Sequence, residues 1–179
     1  MGIHIQEAGH KMSNLNWEKA LDDLSKIKDH FTANSQSVSV VGFCMGGALT
    51  FAALSRLQGW KAGGVFYGIP DLNIFRLDKI TANVIAHFGG LDPLQGFSDA
   101  ESAKRLMDDC KRNNYPISVV YNDLMKDSRG GQPRFLQPRF EILQQECKRR
   151  CVQADEDTGG GIVMMKDMDC YLKNAEGGV

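Results

Sequence analysis

The sequence carries almost no net charge: 21 Lys and Arg stand against 22 Asp and Glu, a balance of −1. Charge supplies most of the grip on a nucleic-acid backbone, so nucleic-acid binding is disfavoured. No run of about 18 apolar residues occurs, and no membrane span is expected. Residues 1–16 are polar and lack the apolar core of a signal peptide, which points to a cytoplasmic chain. The five cysteines, Cys44, Cys110, Cys147, Cys151 and Cys170, are odd in number and irregular in spacing. They contain no C-x-x-C pair, so they read as reduced thiols rather than a disulfide frame. A metal is not expected either. Cys147 and Cys151 have no second ligand pair and Cys170 supplies only a third ligand, whereas zinc takes four; two cysteines sharing one helix face account for the spacing. Gly159-Gly160-Gly161 is no phosphate loop, because no Lys-Ser/Thr follows it. Asp155-Glu156-Asp157 lacks the spacing of a calcium loop, and Lys148-Arg149-Arg150 reads as a solvated basic face. Histidine is scarce: the four are His4, His10, His30 and His87, and none follows His87.

What is present is an ordinary globular composition. The chain has 179 residues, 42% apolar and 24% charged, enough for one domain with a buried core and a tail. Residues 1–15 show no period and are unassigned. Trp17, Ala20, Leu21, Leu24, Ile27 and Phe31 recur at three- and four-residue steps, which predicts an amphipathic helix over about Asn16 to Phe31, with Asn14 or Asn16 as its cap. Val38 to Phe43 is short, β-branched and apolar, a strand. Met45, Leu49, Ala52, Ala53 and Leu57 then share one helical face. Gly63 to Gly68, Asn83 to Phe88 and Ile117 to Tyr121 are three more strands, the last preceded by a helix over about Ala100 to Asn113. Strands alternating with helices predict an α/β fold with a mostly parallel sheet and flanking helices. Past Tyr121 the pattern fades. Residues 122–179 are expected to be a divergent, partly disordered tail, with a helix over Phe140 to Cys151 and one short strand at Ile162 to Met165.

Chemistry concentrates in Gly42-Phe43-Cys44-Met45-Gly46-Gly47. This is a G-x-C-x-G-G turn between a strand and a helix, the form of a nucleophile elbow with cysteine in place of serine. Glycines let strand and helix approach closely. The helix N-terminus then aims unsatisfied N–H groups at the thiol, where they lower its pKa and hold an oxyanion; Met45 N–H is the natural first donor. An isolated match of this kind is common, and a buried cysteine is mostly inert packing. The strand-to-helix context, Gly47 and a suitably placed acid strengthen the functional reading. The acid is Asp92, in Gly89-Gly90-Leu91-Asp92-Pro93. Asp-Pro alone marks a turn, but on the loop after a later strand Asp92 sits at the carboxyl edge of the sheet, within reach of a triad.

Val41 to Ala48, Val65-Phe66-Tyr67-Gly68 and His87-Phe88-Gly89-Gly90-Leu91-Asp92 together resemble the dienelactone hydrolase family of α/β-hydrolases, over residues 16–121. The resemblance implies an incomplete α/β-hydrolase domain that acts on small esters or lactones without metal or organic cofactor. It makes Cys44 the nucleophile and Asp92 the triad acid, and it gives His87 no role as triad base. It also exposes two departures. The family places its histidine after the last core strand, in a Tyr-x-x-x-Gly-His pattern; here Tyr121 is followed by Asn122-Asp123-Leu124-Met125-Lys126, with Lys126 where the histidine is expected. The replacements for that base are Lys126, His4 and His10. The family also has several strands ahead of the helix at Trp17, carrying a second oxyanion donor. Without them the Val38–Phe43 strand is expected to be an exposed sheet edge, the alternative being that Ile162 to Met165 fills the gap, for which no pairing signal is seen.

Three functions follow. The first is an ester or lactone hydrolase impaired by the absent histidine. The second is a non-catalytic family remnant that binds a protein, or itself, through the exposed edge strand. The third is a thiol-reactive redox protein using Cys44, for which no resolving cysteine is evident.

Overall fold

The computed structural model describes residues 14–33, 37–122, 151–154 and 162–165. Helix α1 spans Trp17–Thr32, and the Asn16 carboxamide oxygen caps it by accepting from Lys19 N–H at 3.0 Å. Its apolar stripe buries Leu21 and Leu24 and lays Trp17, Ala20, Ile27 and Phe31 against the core. Strand β1 (Ser39–Phe43) runs straight into α2 (Met45–Arg56). Next come β2 (Ala62–Phe66), a short 3₁₀ turn at Leu77–Lys79, β3 (Asn83–Gly89), α3 (Ala100–Asn113) and β4 (Ile117–Asn122). These elements match the expected α/β alternation almost residue for residue.

The sheet has the order β4-β3-β2-β1-β6-β5, where β5 is Cys151–Ala154 and β6 is Ile162–Met165. Strands β1 to β4 are parallel. Strands β1 to β3 are buried along nearly their whole length, which is why they read as unbroken apolar runs, whereas β4, at the sheet edge, buries only Ile117. Val40, Val65, Val84, Ala86 and Phe88 join one cluster with Phe51 and Leu54 of α2, Leu21 and Leu24 of α1, and Ala103 and Leu106 of α3. Helix α2 is buried from Met45 to Ser55, as a helix that is apolar all round must be. Gly63 makes room for it, since a Cβ there would collide with Leu54. Cys110 belongs to the same core. Its thiol is pushed up to about 11, first by burial and then by Asp109, so it packs rather than reacts.

The sequence expectation fails at the β1 edge. Strand β1 is not exposed: β6 pairs with it antiparallel, Ser39 opposite Met165 and Gly42 opposite Ile162, and β5 pairs with β6. Backbone N–H and C=O groups along an open edge seek a partner, and here the partner comes from the same chain. The basis for self-association through that strand is therefore gone, and the segment expected to be partly disordered contributes two strands. The strand foreseen at Ile162 to Met165 is present and fills the gap beside β1, a pairing for which the sequence carries no signal. Cys151 opens β5, which overturns the two-cysteine helix face; the rest of the helix expected over Phe140 to Cys151 lies outside the described residues. No described helix is long and apolar enough to cross a membrane.

Helix α3 begins at a dense cap. Asp99 accepts from Glu101 N–H (3.1 Å) and Ser102 N–H (3.0 Å) through one oxygen, and from Gly96 N–H and the Ser102 hydroxyl (both 2.6 Å) through the other. The Ser102 hydroxyl above all, with the backbone donors, holds the carboxyl down at about 2. A depressed carboxylate stabilises the fold above the ordinary aspartate pKa and loses that contribution as pH falls through the folded value. Asp99→Ala should cost about 1 kcal/mol near neutral pH. Urea denaturation should show the gap between variant and wild type closing as the pH is lowered towards 2. A second test addresses β6. Val163→Pro breaks a strand paired on both sides, so it should lower the denaturation midpoint and give concentration-dependent oligomers on size exclusion.

Candidate active site

A single residue, Cys44, separates β1 from α2, and the chain reverses through it. Its backbone takes φ 54° and ψ −121°, a region that non-glycine residues seldom enter and that costs roughly 1–3 kcal/mol. Backbone hydrogen bonds, one to the neighbouring strand end and two to the first turn of α2, hold it there. Cys44 N–H donates to the Phe66 carbonyl at 3.0 Å, and the Cys44 carbonyl accepts from Gly47 N–H (2.9 Å) and Ala48 N–H (3.2 Å). The turn is closed sterically as well. A Cβ on Gly42 would strike the Gly46 carbonyl, and one on Gly68 would strike the Cys44 carbonyl and lie 2.8 Å from Ala48 N. Gly47 is in the same position against the Phe66 carbonyl, at 2.5 Å. Glycines from two strand ends and one helix thus let three backbones meet at one cysteine.

The thiol of Cys44 is half-buried. Met45 opens α2, so its N–H is among those that the helix cannot satisfy internally. The motif's two predicted participants, Cys44 and Met45, therefore stand together at the carboxyl edge of the parallel strands. Asp92 lies on the loop after β3, also at that edge, and is half-buried. One of its carboxylate oxygens accepts from Leu94 N–H at 3.0 Å, so Asp92 does form the turn that Asp-Pro suggests. Its charge nonetheless reaches the site, as Tyr67 shows.

Tyr67 follows β2 directly and is the residue that sequence reasoning missed. It is half-buried, with φ 41°. Its N–H donates to the His87 carbonyl at 2.9 Å. Burial is the main cause of its raised phenol pKa, and the neighbouring Cys44 and Asp92 add to it. Both of the predicted site residues therefore act on one phenol. In the sequence Tyr67 figures only within Val65-Phe66-Tyr67-Gly68, a strand end and one of the three stretches that carry the family resemblance, with no role of its own.

His87 takes a structural place. Its ring stacks on Phe66 (centroids 4.9 Å apart, planes at 12°), and Phe66 stacks on Phe43 at 4.7 Å. Register aligns the three across β1, β2 and β3. His30 is exposed in the last turn of α1. The neighbouring Lys28 donates to the Gln58 carbonyl ahead of β2, which puts this end of α1 at the opposite edge of the sheet from Cys44. The candidate bases His4, His10 and Lys126 lie outside the described residues. Among the described residues no group of three or more His, Cys, Asp or Glu is placed to hold a metal ion.

The model of a known family, the dienelactone hydrolase family, matches residues 3–123, from ahead of α1 to just past β4. No curated protein matches the chain. The glycine contacts generate a direct test. Gly68→Ala pushes a methyl group into the Cys44 carbonyl, and overpacking of this kind typically costs about 1–3 kcal/mol. The variant should unfold at lower urea and, where still folded, show an altered rate of Cys44 alkylation by iodoacetamide.

Proposed function

Because the chain belongs to the dienelactone hydrolase family, we propose that it reacts with small esters or lactones through a thiol nucleophile at Cys44. The observation that carries this reading is the left-handed, over-determined backbone of Cys44 at the N-terminus of α2. Strain of that kind concentrates at functional sites. The thiolate adds to the acyl carbon, the carbonyl electron pair moves to oxygen, and Met45 N–H holds the oxyanion. Collapse of the adduct re-forms the carbonyl, breaks the carbon–oxygen ester bond and leaves a thioester on Cys44. The expelled alkoxide takes its proton from water.

The second half of the cycle is where this chain differs. Hydrolysing the thioester requires a base to activate water, and a positioned base contributes roughly 10²–10⁴-fold. No histidine follows His87. The acyl-enzyme should therefore form faster than it is cleared. On this reading Asp92 is the triad acid, and no histidine after His87 stands for it to orient.

Wild type and Cys44→Ala mixed with p-nitrophenyl acetate test the reading. The expected result is a burst of about one equivalent of nitrophenol, followed by slow turnover, with a thioester found by mass on the Cys44 peptide. Both phases should vanish in Cys44→Ala. Hydrolysis that survives this substitution overturns the proposal. Asp92→Asn adds a second outcome. Loss of the acid from a complete triad costs about 10⁴-fold in turnover; here the loss should be well under tenfold. A drop of several orders of magnitude would instead reveal a working base, with Lys126, His4 and His10 as the side chains to substitute next.

A further inference from the structure

We infer that the Tyr67 phenol is a catalytic hydrogen-bond donor to the acyl oxygen of a substrate bound at Cys44, completing with Met45 N–H the oxyanion site. The inference rests on the reading of Cys44 as a nucleophile, and it supplies the second donor that this reading needs.

Placement is the first support. Tyr67 is the residue after Phe66, whose carbonyl receives the Cys44 N–H. The next residue, Gly68, packs its α-carbon against the Cys44 carbonyl and the Ala48 nitrogen. Tyr67 itself is tied on the other side to the His87 carbonyl. The tyrosine therefore stands on a backbone fixed to the elbow before it, after it and beside it. Cys44 and Tyr67 are two of three non-glycine residues with positive φ among the described residues; the third, Asn114, is an ordinary left-handed helix cap. Adjacent parallel strands thus run directly into two strained residues, Cys44 bonded to the residue before Tyr67 and Tyr67 bonded to His87 of the next strand. Such strain persists only where its surroundings over-determine it, and it marks sites rather than scaffolds.

Chemistry is the second support. The thiol and the Asp92 carboxylate both act on this phenol, which is also desolvated. Each influence keeps the phenolic proton in place, so Tyr67 donates at neutral and moderately alkaline pH. Thiolate addition puts negative charge on the former carbonyl oxygen, and donors already aimed at that charge act strongly in a partly dehydrated site. Proton transfer is not required. The sulfur–carbon bond forms, the carbonyl pair moves to oxygen, and Met45 N–H and Tyr67 O–H share that charge. When the adduct collapses and the alkoxide leaves, Tyr67 retains its proton. A tyrosine hydroxyl is among the side chains that serve this purpose elsewhere.

The test compares two reactions of the same sulfur in wild type and Tyr67→Phe. Acylation by p-nitrophenyl acetate passes through an oxyanion; alkylation by iodoacetamide does not. Tyr67→Phe keeps the ring and the backbone demand and removes only the hydroxyl. Losing one oxyanion donor costs about 10²–10³-fold. The expected result is an acylation rate constant lower by about 10²-fold, with Cys44 alkylation unchanged and the ester concentration dependence little altered. Equal acylation in the two proteins overturns the inference. So does a parallel loss of both reactions, which would assign the hydroxyl to the thiol or to the fold. A wild type that alkylates at Cys44 but never acylates overturns the nucleophile reading itself, and this inference with it.

Discussion

The hydrogen bond from Cys44 N–H to the Phe66 carbonyl, 3.0 Å long, is the contact around which the described structure is arranged. It prolongs the parallel pairing of β1 and β2 by one step beyond the last strand residue, and so obliges the chain to turn into α2 without a connecting loop. A turn that abrupt forces Cys44 out of the ordinary backbone regions. It also brings the first turn of the helix onto the strand ends, where side chains do not fit. Gly42, Gly47 and Gly68 are consequences of this approach. They arise in β1, in α2 and just past the end of β2, and each meets backbone first, Gly42 with the Thr50 hydroxyl as well. The α2 helix is then buried against the sheet from Met45 to Ser55, and its composition follows from that.

Much of this was legible because local rules and tertiary demands agree. The Asn16 cap, the stripe of α1, the boundaries of α3 and the four parallel strands each follow from a pattern inside a short window, and the core accepts each pattern unchanged. Cys44 was legible because glycine spacing records a backbone collision directly. Tyr67 was not. Its left-handed backbone lies at the end of an apolar β-branched and aromatic run, where period and propensity indicate only more strand. Nothing in the identity of a tyrosine announces a positive φ, whereas a glycine there would have done so. Asp92 was legible as to place but divided as to role, because the same carboxylate that forms the Asx turn with Leu94 also bears on the Tyr67 phenol.

The pairing of β6 with β1 was illegible for a different reason. Each is a strand of four or five residues, and well over a hundred residues of chain lie between them. A hairpin advertises itself through its turn, but a closure between distant segments leaves no local mark. Four apolar residues suffice because the demand comes from β1. Its outer edge needs partners for its backbone groups wherever the chain can supply them. The antiparallel direction is then permitted, as no helical crossover is involved, and a parallel sheet acquires an antiparallel border.

The elbow and the base stand in different relations to the fold. Removing the histidine from a triad subtracts a side chain from a loop, and no strand, helix or core contact in the described structure depends on such a residue. Removing the elbow would undo the β1–β2 register, the entry of α2 and the packing of Gly68. The strained backbone of Cys44 is thus held by the requirements of folding, at a cost of roughly 1–3 kcal/mol that the surrounding bonds offset. On the proposed reading, chemistry that needs only the elbow, namely thiolate addition and its oxyanion, is for that reason the part that persists with the fold. Chemistry that needs a loop base is the part that can be lost with the architecture intact. Tyr67 belongs with the first group, since its backbone is fixed by the same contacts that fix Cys44.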